Sequence, residues 1–145
     1  MFQHILVATD GSLLSEAAVD NVMNLARDAG AKVTAVTVTE PFHVTAADSM
    51  QLFDTKETYD RRVKAEAARY VASAEHKAKA LGVQCRVVQV ESEEPYKAII
   101  DTAKASGCDL IAMASHGRRG VSALVLGSVT NKVLTHSSIP VLVYR

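Results

Sequence analysis

Five short apolar runs alternate with four stretches of helical periodicity, and this alternation limits what the chain can fold into. Residues 4–9, 32–39, 83–90, 109–114 and 140–144 are short and apolar, several of them rich in β-branched residues, as strands are. Between them, 16–29, 55–81, a segment opening at Glu94-Pro95, and 128–136 repeat apolar residues at helical spacing. Ser15 precedes the first helix, Pro95 suits a first turn, and Gly30, Gly82 and Gly107 supply stops. Strands joined through helices run parallel, cross over right-handed and leave both faces of the sheet covered. The expectation is an open five-stranded parallel α/β sheet over residues 1–145, without internal repeat or second domain. Residues 41–54 show no period and form a loop of a length that usually carries function or motion.

Composition narrows the function classes. A chain of 145 residues has single-domain length, and with no Trp and few aromatics its core is built from Val, Ile, Leu and Ala. Sixteen basic and sixteen acidic residues give zero net charge with no basic block, which argues against nucleic acid as a partner. No apolar run reaches membrane-spanning length, and the start runs into a strand without signal-peptide layout, so a cytoplasmic location is expected. Cys85 and Cys108 form no C-x-x-C pair and read as small buried hydrophobes. The five histidines show no metal-ligand spacing.

The chemistry concentrates after the fourth strand. Met113-Ala114-Ser115-His116-Gly117 is followed, nine residues later, by Gly127-Ser128-Val129-Thr130 at the start of the last helix. A helix N-terminus has unpaired amides and partial positive charge, and neighbouring glycines let an anion approach the backbone. A Gly-Ser pair before a helix is also an ordinary cap. If strands one and four are neighbours where the winding reverses, Asp10-Gly11-Ser12 and 114–117 face one crevice, the place where open parallel sheets bind ligands.

These residues resemble the universal stress protein A family across the whole chain. The resemblance is carried by Ile5-Leu-Val-Ala-Thr-Asp10-Gly-Ser, by Asp109-Leu-Ile-Ala-Met-Ala-Ser-His-Gly117, by Leu126-Gly-Ser-Val-Thr130 and by Ser138-Ile-Pro-Val-Leu-Val-Tyr144. It implies strand order 3-2-1-4-5, an adenine nucleotide alpha hydrolase-like fold, and a homodimer through the C-terminal strand. One branch of the family binds ATP through Gly, two residues, Gly, nine residues, then Gly and Ser or Thr. Gly117, Gly127 and Ser128 match that motif, and Ala114 stands where its first glycine would be. A methyl is excluded there only if φ must be positive.

Under the resemblance, ATP contacts Ala8, Thr9, Asp10, Val38, Met113, Ala114, His116, Gly117, Gly127, Ser128, Val129 and Thr130. The amides of Gly127, Ser128 and Val129 hold phosphates, with the Ser128 and Thr130 hydroxyls adding hydrogen bonds, and the Val38 backbone reads the adenine edge. Asp10 accepts from ribose or holds Mg2+ with the phosphates; a local Asp-Gly-Ser cap is the alternative. Arg118 and Arg119 would neutralise phosphate charge or be solvated loop charges. His116 has no carboxylate placed to orient it as a general base, and no P-loop lysine is present, so at most slow hydrolysis is expected. Three readings remain open: an ATP-binding stress-response regulator, a dimeric interaction protein without nucleotide, and a slow ATPase. An electron carrier of the same fold class lacks aromatics to stack on a flavin.

Overall fold

The computed structural model describes residues 1–43, 55–117 and 126–145. β1 (His4–Ala8), α1 (Leu13–Ala29), β2 (Lys32–Thr39), α2 (Lys56–Ala80), β3 (Cys85–Glu91), α3 (Pro95–Ala105), β4 (Leu110–Ala114), α4 (Ser128–His136) and β5 (Val141–Tyr144) follow one another in chain order. The strands form one parallel sheet in the order β3-β2-β1-β4-β5. The expected fold class and strand order are therefore present.

Strand alternation splits the core in two. Ile5, Val7, Val33, Ala35, Leu110 and Ala112 point to one face and pack with Val22, Met23 and Ala26 of α1 and Ala74 and Ala78 of α2. Leu6, Val36, Ile111 and Met113 point to the other, against Ile99, Ile100 and Ala103 of α3 and Val133 of α4. Winding reverses between β1 and β4, so the chain leaves the two central strands in opposite directions and opens a gap above them.

Two boundaries differ from the sequence expectation by more than one residue. α1 starts three residues earlier than 16, because Ser12 rather than Ser15 caps it: the Ser12 hydroxyl accepts from the Ser15 amide at 3.2 Å. β3 starts at Cys85 rather than 83, because Gly82 (φ 70°) and Val83 still finish α2, the Val83 amide bonding the Ala78 carbonyl at 2.9 Å. β3 is an edge strand, and this leaves Cys85 only half-buried, whereas Cys108 is buried as expected.

Candidate functional site

β1 and β4 end at the reversal of winding, and a crevice of about 400 Å³ opens above them. Its walls come from β1, β2 and β4, the first turn of α1, and the first two turns of α3 and α4. Ala8, Thr9, Asp10, Val38, Met113, Ala114, His116, Gly117, Gly127, Ser128, Val129 and Thr130, the residues singled out by sequence, all line it. Arg118 and Arg119 lie outside the described residues, as does 44–54, most of the expected loop. Sequence reasoning missed Ser15, Val36, Glu40, Pro95, Tyr96, Ile99 and Lys132 on the same walls. For Lys132 a signal existed: it stands one helical turn after Ser128, on the same side of α4.

Ser115 assembles the floor. Its amide donates to the Tyr144 carbonyl (2.6 Å), joining the ends of β4 and β5, and its carbonyl accepts from the Gly127 amide (2.7 Å), fixing the start of α4. That second bond corrects one expectation, since the Gly127 N–H is already engaged. The first intrahelical bond runs from the Asn131 amide to the Gly127 carbonyl, which leaves the amides of Ser128, Val129 and Thr130 as the donors of the first turn. No side chain among the described residues caps them. The Thr130 hydroxyl, also assigned to phosphate above, instead donates to the Ala114 carbonyl at 2.8 Å and is buried.

Neither motif glycine has positive φ; each serves close packing within the protein. A Cβ on Gly127 would meet the His116 Cα at 3.1 Å, and one on Gly117 would overlap the Asp10 carboxylate. Ala114 likewise has no positive φ, so its methyl is compatible with the backbone there. By strand alternation that methyl belongs to the opposite face from Met113, whose side chain packs in the crevice-side core.

The local Asp-Gly-Ser reading of Asp10 is present in the structure. Its Oδ1 accepts from the Ser12 amide (3.0 Å) and the Ser15 hydroxyl (2.8 Å), a local turn, while Oδ2 lies against Gly117. Among the described residues no group of three or more His, Cys, Asp or Glu is placed to hold a metal ion.

Across the crevice, the ladder between β1 and β2 closes where the Thr9 amide reaches the Val36 carbonyl at 2.9 Å. Residues two apart on a strand turn their backbone groups to the same edge. The N–H and C=O of Val38 therefore face the crevice with no strand of the sheet beside them, one donor and one acceptor. His116 is half-buried, its Nδ1 3.2 Å from the Ser115 hydroxyl, and among the described residues no carboxylate bonds to its ring. Burial pushes the Cys85 thiol up to about 11 and raises that of Cys108, which leaves both protonated and unreactive at neutral pH.

The profile of the universal stress protein family matches residues 1–145. The chain belongs to this family. It is 33% identical to universal stress protein YxiE of Bacillus subtilis (strain 168), with full coverage of both chains. Among solved structures it is similar to MJ0577 of Methanocaldococcus jannaschii at TM-score 0.82 and 26% identity, over 99% of this chain and 96% of the other. A universal stress protein solved in complex with cAMP superposes at TM-score 0.70 and 25% identity, over 99% and 97% of the two chains. Like those universal stress proteins, the chain carries the five-stranded sheet in 3-2-1-4-5 order. No helix among the described residues is long and apolar enough to cross a membrane.

Proposed function

We propose that the crevice binds ATP, with Mg2+ shared between Asp10 and the phosphates, and that nucleotide occupancy tunes the affinity of a cytoplasmic homodimer for a protein partner. The observation that carries this reading is the first turn of α4, which no side chain among the described residues caps. Three backbone donors, Ser128 to Thr130, open on a crevice whose far wall presents the unpaired Val38 edge. Phosphates belong at the first, where the helix dipole favours anions, and the base at the second. The apolar surfaces of Val36, Ile99 and Met113 lie between and suit the base and sugar. The cAMP complex of a structural relative supports an adenine nucleotide in this fold. Ala114, on which a nucleotide-free reading rests, has no forbidden φ and does not favour that reading.

Among the described residues no carboxylate bonds to His116, and the sequence has no P-loop lysine, so the proposed role is binding rather than turnover. Native mass spectrometry of the purified protein, followed by equilibrium dialysis against ATP and Mg2+, tests the reading. One nucleotide per chain on a dimer of this chain is expected. Absence of binding at millimolar ATP would overturn it.

A further inference from the structure

Besides backbone donors, the crevice is lined by charged side chains. Two carboxylates, Asp10 after β1 and Glu40 after β2, line one side, and Lys132 on α4 lines the other. The Lys132 ammonium lies 5.5 Å from the centroid of the Tyr96 ring, and among the described residues no carboxylate pairs with it. Tyr96 is in turn backed by the His136 ring at 5.0 Å, and His136 Nδ1 lies 2.9 Å from the Lys132 carbonyl. Ser128, Lys132 and His136 are spaced four apart and form one stripe along α4.

We propose that Lys132, held against Tyr96 at the mouth of the crevice, is the specificity residue that makes this site prefer nucleoside triphosphates to monophosphates. The inference rests on the nucleotide reading above and adds to it the basis of phosphate number. The first-turn amides can engage one phosphate group. Each further phosphate adds negative charge beyond them, and a cation one turn along the same helix face is where that charge would be met. A free lysine loses considerable rotamer entropy when it is fixed on a ligand. The Tyr96 face attracts the ammonium and restricts it to the crevice wall beforehand, which lowers that cost. A monophosphate, satisfied at the amides, draws little from it.

The test is the ratio of ATP to AMP affinity, measured by calorimetry on the full chain. In Lys132→Gln the ratio falls about five- to tenfold, the range for a charge-assisted contact discounted for solvent exposure. Lys132→Arg keeps it within about twofold, and Tyr96→Leu, which removes the π face but keeps an apolar wall, lowers it about threefold. Thermal unfolding of each variant without nucleotide verifies that the fold is intact. A wild-type protein that binds ATP with a ratio unmoved by Lys132→Gln overturns this inference and leaves the nucleotide reading standing. A wild-type protein that binds neither nucleotide overturns both.

Discussion

Gly11 is the residue whose replacement the structure forbids most plainly. Its φ is 77°, and a Cβ there would also overlap the ring of Tyr70. Left-handed backbone costs an alanine about 1–2 kcal/mol, and the ring overlap adds to this. Gly11→Ala therefore lowers the urea midpoint by clearly more than that backbone term alone, whereas Gly30→Ala, also at positive φ but with open space around it, shows the backbone term only. Ala114→Gly makes the complementary case. With no positive φ to relieve, the added glycine removes buried contact and loosens a strand, costing about 0.5–1 kcal/mol of stability. ATP affinity should stay within about twofold of wild type; a large gain would mean the methyl crowds the ligand. The positions of the site residues were legible because Gly117, Gly127 and Ser128 are rare punctuation in a known order. Their hydrogen bonds were not. Whether the Gly127 amide meets a ligand or the Ser115 carbonyl depends on how closely α4 seats on the end of β4, a tertiary distance that spacing does not encode. Tyr96 and Lys132 meet across two helices, and their contact is equally invisible in one dimension.

At the scale of elements, the order of strands and helices followed from periodicity, and the errors fell where caps compete. Ser12 and Ser15 are both plausible N-caps; Ser15 lost because its hydroxyl is drawn inward to Asp10, so one turn at the crevice decides where α1 begins. The opposite end of the sheet has its own small network. The Asp109 carboxylate accepts from the Gln3 and His4 amides, and His4 Nε2 lies 2.7 Å from the Thr34 hydroxyl, tying the starts of β1, β2 and β4 together. Burial, reinforced by the Lys32 ammonium, holds the His4 imidazole below its usual 6.5, with the Asp109 carboxylate acting in the other direction. The unfolded chain then binds the proton more readily than the folded one. The stability due to neutral His4 is complete above about pH 6.5 and declines as pH falls through its lower folded value. Urea midpoints should drop across that window in the wild type. In His4→Gln, which keeps a donor toward Thr34 without titrating, that slope should be absent.

The two edges of the whole sheet are unlike. β3 exposes Arg86, Gln89 and Glu91, polar side chains that discourage a further strand. β5 carries Val141, Leu142, Val143 and Tyr144, each half-buried within one chain and none charged. Leu142 and Tyr144 pack on the α1 side of the sheet and Val141 on the α3 side, while Val143 belongs to neither core. An apolar edge of this kind is an aggregation hazard unless something covers it, and a second copy related by a two-fold axis covers both edges at once. The proposed homodimer therefore pairs β5 with β5, close to the Ser115 bond that joins the end of β5 to the crevice floor. Val143→Lys tests the arrangement at a half-buried position outside both core groups. Sedimentation equilibrium at micromolar concentration should find the wild type dimeric and the variant monomeric. The melting temperature of the wild type should rise with protein concentration, by mass action, and that of the variant should not. A variant that still sediments as a dimer would place the interface elsewhere on the molecule and leave the apolar edge of β5 to be covered by a different partner.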